Sequence, residues 1–113
     1  MSFEENTIVG HVAFIDHYGN VITNITREAF HKIGKNRPFE IHMRTHRMTI
    51  RQISEGYHDV AVGKELALFN HTDFLEIAVN NHSAPGGHGG ADALLGLRRD
   101  QSVRIVFQPE DQL

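Results

Sequence analysis

Two polar clusters interrupt otherwise apolar stretches of the sequence. Residues 16–20 read DHYGN, and residues 70–73 read NHTD. A carboxylate accepts hydrogen bonds, an amide both donates and accepts them, and tyrosine offers a flat ring with a hydroxyl. An asparagine amide also matches the donor–acceptor edge of adenine. Both clusters therefore suit the binding of a polar aromatic ligand, although their composition is equally that of ordinary turns.

The nine histidines are the most unusual feature of the composition. His42 and His46 lie four residues apart, a spacing that suits metal ligation from one helix, but their surroundings are typical of strand and turn. The other seven are dispersed singly, and no HExxH or His-x-His run occurs. We therefore expect no metal site. The histidines are interpreted as scattered surface and loop residues, with a few at a ligand site as the alternative.

Other catalytic patterns are absent or weak. There is no GxSxG, and adjacent carboxylates occur only at Glu4/Glu5 and Glu110/Asp111, both in expected tails. The segment 85–90 (PGGHGG) lacks the lysine and hydroxyl residue of a P-loop and does not match GxGxxG. We interpret the glycine-rich stretch 81–90 as a flexible loop whose backbone can approach another surface closely, with phosphate binding as the alternative.

Alternating hydrophobicity predicts the elements that must position these clusters. The expected strands are 7–16, 21–25, 39–44, 47–51, 65–69, 74–79 and 102–107. In the first strand, Ile8, Val12 and Phe14 share one face, and both faces are apolar enough to be covered. Residues 45–46 suit a two-residue hairpin turn. Regular turn signals without a βαβ rhythm predict a mainly-β protein, an antiparallel β-barrel of about seven strands.

One short helix is expected between the second and third strands. Thr26 suits the N-cap, and Gly34 suits the left-handed residue that follows the last turn. Residues 91–97 (ADALLGL) predict one further helical turn. These helices are interpreted as structural elements that pack on the sheet.

Composition limits the class of protein. A chain of 113 residues fits a single domain, here 1–113, and has no cysteine, which excludes disulfides and thiolate sites. No run of apolar residues approaches the 18 needed to span a bilayer, and the acidic start lacks the apolar core of a secretory signal. The net charge of −3 argues against a nucleic-acid partner. We expect a cytoplasmic protein without a membrane partner.

Residues 10–25 (GHVAFIDHYGNVITNI) resemble the signature G-x-V-x-x-x-D-x-F-G-N-x-x-T-N-I. That signature opens the C-terminal domain of the S-adenosylmethionine hydroxide adenosyltransferases, which are relatives of the fluorinase and chlorinase. Further segments that resemble the family follow in the same order: 57–63 (YHDVAVG), 70–80 (NHTDFLEIAVN), 91–97 and 102–105 (SVRI). The resemblance covers nearly the whole chain.

The resemblance implies a fold and an activity. Family members are about twice as long, with a larger N-terminal α/β domain that carries the residues acting on water, and a C-terminal β-barrel. The ligand lies between the N-terminal domain of one subunit and the C-terminal domain of its neighbour in a homotrimer. Hydroxide derived from water displaces methionine at the ribose C5′ of S-adenosylmethionine, giving adenosine and L-methionine. No metal or cofactor besides the substrate is implied.

The resemblance also implies roles for residues on the adenine side. Asn20 matches the position that hydrogen-bonds the adenine edge, and Tyr18 matches an aromatic beside it, in place of phenylalanine. Tyr57 matches an aromatic that packs on the adenine ring. Val79 and Asn81 match positions at a strand end that flanks the adenine.

On the methionine side, Asp16 matches a residue near the amino group. His71, followed by Thr72, falls where the family usually has serine, in the turn that holds the methionine part. Imidazole is bulkier than the serine side chain and can carry a charge, so this contact differs from the family pattern. The stretch 81–90 is also longer than the usual link.

No residue matches the family's N-terminal catalytic groups, so we expect no catalytic residue in this chain and no activity from it alone. The sequence therefore predicts a substrate-binding and oligomerising domain of an enzyme that hydrolyses S-adenosylmethionine. Its expected partners are S-adenosylmethionine or adenosine, an N-terminal α/β domain of the same family, and further copies of itself. The alternative is a non-enzymatic β-barrel interaction module that has lost the ligand site.

Overall fold

The structure, a computed structural model, describes residues 1–43, 49–81 and 90–109. The strands in this part of the chain are β1 (Ser2–Glu4), β2 (Thr7–Ile15), β3 (Val21–Thr26), β4 (Phe39–Met43), β5 (Glu65–Phe69), β6 (Phe74–Val79) and β7 (Ser102–Phe107). The helices are α1 (Arg27–Gly34) and α2 (Ala91–Leu95), with a 3-10 turn at Tyr57–Asp59. All strand pairs are antiparallel, so the expected mainly-β antiparallel architecture is confirmed.

The strand order is β4-β7-β2-β3-β6-β5, with β1 paired to β2 outside this path. The first half of β2 pairs with β1 and β7, and its second half pairs with β3. The register of β2 on β3 shifts between Val12 and Phe14. Such a bulge bends the strand and increases its twist. β2 thus serves both halves of the sheet, which curves into a half-barrel.

An irregular segment links the two edges of the half-barrel. Ile41 of β4 and Ile50 exchange backbone hydrogen bonds of 2.7 and 3.3 Å, and the Ser54 N–H donates to the Ala67 carbonyl of β5 at 2.7 Å. Residues 50–54 therefore reach from one edge strand to the other. The predicted hairpin turn at 45–46 lies outside the described residues. Of the second predicted hairpin strand, the described part forms only the Ile41–Ile50 bridge.

The main core draws buried residues from strands β2 to β7 and from α2. Its fully buried members include Ile8, Val12, Ile41, Ile77 and Ile105. A smaller cluster of Leu66, Leu68 and Ala78 lies against Tyr57 and Val60. Strands β5 and β6 contribute to both clusters, so this hairpin is covered on both faces.

The exposure of Phe14 contradicts its predicted place on a covered face. Ile8 and Val12 are fully buried, but Phe14 is 57% exposed. The register shift between Val12 and Phe14 turns the last residues of β2 out of the alternation that holds before it. The tail expected around Glu4 is also wrong, because Glu4 ends the exposed strand β1.

Helix α1 begins as predicted and ends one residue later. The Thr26 hydroxyl accepts a hydrogen bond from the Ala29 N–H at 3.1 Å, which confirms the N-cap. Gly34, expected to follow the helix, is its last residue, and Lys35 adopts the left-handed conformation with φ 51°. A Cβ on Gly34 would lie 2.6 Å from the Phe107 ring, so glycine is needed there for close packing.

Arg37 follows the helix and joins three parts of the chain. It is buried, and its guanidinium donates to the carbonyls of Ile33 and Gly34, the Asn6 side chain and the Gln108 carbonyl, at 2.7–3.0 Å. The central carbon of the guanidinium also lies 5.4 Å from the centroid of the Phe107 ring. Arg37 therefore completes the end of α1 and fixes it to the β1–β2 turn and the end of β7.

Helices of the described residues are all too short or too polar to cross a bilayer.

Candidate functional site

The turn between β2 and β3, residues 16–20, is organised by the Asp16 carboxylate and is called the Asp16 turn below. Oδ1 accepts hydrogen bonds from the backbone N–H groups of Tyr18 and Asn20, and Oδ2 accepts one from the Asn20 side-chain amide, all at 2.9 Å. Asn20 is only 1% exposed. Asp16 therefore sets the orientation of a buried amide, using the short side chain that favours such turns.

The Asp16 turn packs directly on the start of α2. The Gly90 N–H donates to the Tyr18 carbonyl at 2.7 Å, and the Asp92 N–H donates to the Gly19 carbonyl at 3.0 Å. Gly19 has φ +84°, and a Cβ on it would lie 2.4 Å from the Asp92 carboxylate. The Tyr18 side chain is 44% exposed and makes an edge contact with His17. The turn thus presents an aromatic ring at the surface from a fixed backbone.

A buried carboxylate lies near this turn. Glu76, in the middle of β6, is 6% exposed. Its Oε2 accepts a hydrogen bond from the Tyr57 hydroxyl at 2.8 Å, and its Oε1 accepts one from the Asn70 amide at 3.5 Å. Burial, this hydrogen bond and the charge of Glu76 raise the pKa of Tyr57 well above its usual range, and the charge of Asp16 adds to the effect. Tyr57 is therefore an electrostatic neighbour of both carboxylates.

Glu76 is a residue that the sequence-based site prediction missed. The signal was present, because Glu76 is the one charged residue in the apolar strand β6, Phe74–Val79. A charge at such a position is seldom buried without partners. The motif contained it, but the spacing alone gave no reason to connect it with Tyr57, which is 19 residues away.

His71 and Thr72 lie in the exposed turn 70–73 between β5 and β6. The Asn70 side-chain oxygen accepts hydrogen bonds from the Thr72 N–H at 3.0 Å, the Thr72 hydroxyl at 2.6 Å and the Phe74 N–H at 3.2 Å. This amide therefore fixes the backbone of the turn, while His71 faces solvent.

The register of β3 and β6 separates the predicted residues into two groups. Val21 pairs with Ile77, which puts the end of β6 beside the Asp16 turn, and Thr26 pairs with Phe74 beside the turn 70–73. Asp16, Tyr18, Asn20, Val79 and Asn81 thus belong to one end of β6, and His71 and Thr72 to the other. Tyr57 contacts Glu76 in the middle of β6 and so lies between these two groups.

At the end of β6, beside the Asp16 turn, the side chains of Val79 and Asn80 are turned into the protein. The Val79 side chain is buried in the main core, and Asn81 is half-buried. Asn80 between them donates its amide to the Val60 carbonyl at 2.8 Å, and its buried Oδ1 accepts no hydrogen bond from any described residue. Residues 82–89, which hold most of the predicted glycine-rich loop, lie outside the described residues.

Comparison with known proteins decides the family. The family model of the SAM hydroxide adenosyltransferase C-terminal domain matches residues 10–104. The chain belongs to this family. The resemblance in sequence is thereby confirmed, over a region that contains the Asp16 turn, Tyr57, Glu76 and the turn 70–73. A search of curated proteins gives no match.

Solved structures with the same fold are also found. The chain is similar to an uncharacterized conserved protein from Thermotoga maritima, with a TM-score of 0.73, 26% identity and 93% of this chain covered. It also shares its fold with a conserved hypothetical protein from Thermus thermophilus, with a TM-score of 0.65, 23% identity and 91% covered. The chain spans 37% and 36% of the length of these two proteins.

This adenosyltransferase domain also has a groove outside the predicted site. A groove of about 550 Å³ on β4 and β7 is lined by His42, Met43, Ser102, Arg104 and Val106, none of them a predicted site residue. Within 1–43, 49–81 and 90–109, no three His, Asp or Glu side chains come together as a metal site would require.

Proposed function

We propose that this domain forms the substrate-binding wall of an enzyme that hydrolyses S-adenosylmethionine to adenosine and L-methionine. An N-terminal α/β domain supplies the groups that act on water, and the complete site forms between subunits of a homotrimer. The observation that carries the proposal is the family match over residues 10–104. The partial coverage of the two solved relatives fits a domain that works together with another.

On the adenine side, Tyr18 and Tyr57 offer flat faces for the base, and Asn20 offers the amide for its edge. The Tyr18 ring is exposed, and Tyr57 is held by Glu76. Asn20 is almost fully buried, and its amide is held in one orientation by Asp16. Val79 and Asn81 flank the base at the end of β6, Val79 through its backbone.

On the methionine side, His71 and Thr72 lie at the opposite end of β6 from the Asp16 turn. A substrate that contacts both groups therefore lies along β6 and across Tyr57. In this arrangement Asp16 remains at the adenine end, where it orients Asn20. Its role beside the methionine amino group stays a prediction.

Calorimetric titration with adenosine tests the proposal. Replacing Tyr18 by alanine removes the exposed ring without touching the backbone contacts of the turn, and should weaken binding roughly 5- to 100-fold, as for other stacked bases. Phe3→Ala is the control, because Phe3 is an exposed aromatic residue on β1 and no part of the predicted site. Equal affinities of both variants and the parent would contradict the proposed role of Tyr18.

Adenosine binding in the presence of an N-terminal domain tests whether this domain is a substrate-binding wall at all. The domain should bind adenosine when it is combined with the N-terminal domain of a family member. Absence of binding at millimolar adenosine, both alone and in that complex, would favour the interaction-module alternative.

A further inference from the structure

We propose that Glu76 is a positioning residue that couples the Tyr57 ring to the turn 70–73. The buried carboxylate joins the adenine side of the proposed site to its methionine side, so that both keep one geometry. This inference deepens the proposed function and rests on it for its meaning in catalysis. The coupling itself is a property of the chain that can be measured without ligand.

The position of Glu76 explains why it can act as a link. It lies at the centre of β6 and pairs with Ile22 of β3 on one side and Leu68 of β5 on the other. A carboxylate buried among such neighbours is costly unless hydrogen bonds satisfy it. Each oxygen takes one side-chain donor, Tyr57 on Oε2 and Asn70 on Oε1.

Tyr57 depends on this bond for its orientation. It belongs to the short 3-10 turn Tyr57–Asp59, and its ring packs against the cluster of Leu66, Leu68 and Ala78. Apolar packing leaves a ring some freedom to slide, because it is not directional. The hydrogen bond from the hydroxyl to Glu76 fixes the far end of the ring.

Asn70 transmits the constraint to the turn. Its amide nitrogen reaches Glu76, and its oxygen accepts the bonds from Thr72 and Phe74 that shape residues 70–73. Movement of the carboxylate therefore shifts the amide, and the amide shifts the turn. A side-chain network of this kind is expected to show coupling beyond its separate bonds.

The first test follows the ionisation of Tyr57. The chain has two tyrosines and no tryptophan, so in a Tyr18→Phe parent the absorbance at about 295 nm reports Tyr57 alone. Among the described residues, the charges that act on Tyr57 are those of Glu76 and Asp16. The other titratable groups of its own turn are His58 and Asp59. Glu76→Gln removes the nearest of the negative charges and should lower the pH at which Tyr57 ionises.

Glu65→Gln is the control for this titration, because Glu65 is a partly buried acid on the neighbouring strand β5. It should leave the ionisation of Tyr57 unchanged. The titration is limited to the pH range in which circular dichroism shows a folded chain. An equal ionisation midpoint in Glu76→Gln and its parent would overturn the inference.

The second test asks whether the constraint reaches the turn. In Tyr57→Phe the ring remains but its bond to Glu76 is lost, so the backbone amide resonances of His71 and Thr72 should shift in the NMR spectrum. Tyr18→Phe should leave them in place. Unmoved resonances in Tyr57→Phe would also overturn the coupling.

Adenosine calorimetry separates this inference from the proposed function. Tyr57→Phe should bind adenosine roughly two- to tenfold more weakly than the parent, although the stacking ring is retained. A chain that shows both couplings but never binds adenosine contradicts the proposed function and leaves the link intact. A chain that binds adenosine without either coupling contradicts the positioning role alone.

Discussion

Arg37 shows how one side chain stabilises contacts between distant parts of this chain. It is 6% exposed, and its N–H donors serve acceptors in α1, in the β1–β2 turn and after β7. A planar guanidinium can reach several acceptors in fixed directions, whereas an ammonium on a flexible stem cannot. The charge alone is therefore insufficient at this position.

We expect Arg37→Lys to lower the free energy of unfolding by about 2–4 kcal/mol, because one ammonium cannot serve the Ile33 carbonyl, the Gln108 carbonyl and the Asn6 side chain together. Arg51→Lys is the control, since Arg51 is exposed and pairs with Glu40 at the surface. It should change stability by less than about 0.5 kcal/mol. Chemical denaturation of both variants gives the comparison, and equal losses would show that the Arg37 network contributes no more than a surface pair.

Tyr57 makes the stability of the chain depend on alkaline pH. In the unfolded chain this tyrosine ionises near its ordinary pKa of 10.0, whereas burial and Glu76 raise its pKa in the folded chain. The folded state therefore keeps a proton that the unfolded state has lost. The stabilising effect is fully present below about pH 10 and is lost as the pH rises through the folded pKa.

The stability difference between the parent and Tyr57→Phe should consequently shrink as the pH rises above about 10. Phenylalanine cannot ionise, so the variant lacks this contribution at every pH. Denaturant titrations at several pH values measure the difference. A stability difference that stays constant across these pH values would show that ionisation of Tyr57 does not contribute to it.

At the residue scale, the sequence predicted which residues matter better than it predicted their burial and hydrogen bonds. It selected Asp16 and Asn20 from a turn-like composition, but it could not show that Asp16 binds the amide or that Asn20 is buried. It passed over Glu76, because burial depends on which loop covers the outer face of β6. That covering loop, residues 57–60, has no pattern in the sequence that would place it there.

Helix α1 illustrates a conflict between local preference and packing. Glycine inside a helix normally makes it about 0.5–1 kcal/mol less stable than alanine does, unless the backbone at that position is left-handed. Gly34 is inside the helix, and the ring of Phe107 occupies the space that a Cβ would need. Phe107 is itself packed against Phe30 and Phe39, with ring centroids 5.6 and 6.1 Å away.

We therefore expect Gly34→Ala to destabilise the chain by about 1–3 kcal/mol, opposite in sign to helix propensity. Gly56→Ala provides the comparison, because a Cβ there meets no atom of the described residues within 4 Å. It should be close to neutral. Thermal or denaturant unfolding distinguishes the two, and a stabilised Gly34→Ala would show that Phe107 gives way easily.

The contact between the Asp16 turn and α2 can be tested with a second pair of glycines. Gly19 and Gly63 both have φ +84°, so alanine strains the backbone at each. Within the part of the chain that the structure describes, only the Cβ at Gly19 also meets neighbouring atoms, those of Asp92 and Gly90. Gly19→Ala should lower the free energy of unfolding by at least about 1 kcal/mol more than Gly63→Ala does. It should also weaken adenosine binding.

Equal stability losses in Gly19→Ala and Gly63→Ala would mean that the turn does not depend on its contact with α2. Denaturant unfolding followed by adenosine calorimetry on the same samples measures both effects.

At the scale of elements, hydrophobic periodicity predicted six of the strands and the helix start, because these segments are governed by local alternation and capping. It failed where tertiary pairing decides the result. The bulge in β2 exposes Phe14, and the strand β1 has too few residues to show alternation. Residues 47–51 resemble a strand, but the described part of this segment forms one bridge and then crosses to β5.

At the scale of the molecule, the fold follows from sequence pattern, whereas the family assignment required the ordered motifs of residues 10–104. No periodicity distinguishes this half-barrel from others. The position of the predicted residues along β6 also depends on strand register, which only the paired structure defines.

The proposed division of labour predicts that the 113-residue chain alone does not convert S-adenosylmethionine. The residues that act on water are expected in the N-terminal domain, and this chain spans 37% of the Thermotoga maritima protein it resembles. Chromatographic assay for adenosine after prolonged incubation checks this. Turnover that disappears when a residue of this chain is mutated would contradict it.

The position of β7 between β2 and β4 has a consequence for synthesis in the cell. Residues 102–107 are made late, yet they pair with residues 7–11 and 39–43. A nascent chain therefore exposes the unpaired backbone edges of β2 and β4 until β7 has been made. Closure of the core is a late, long-range event, and a ribosome stalled before residue 102 would hold an aggregation-prone intermediate that lacks β7.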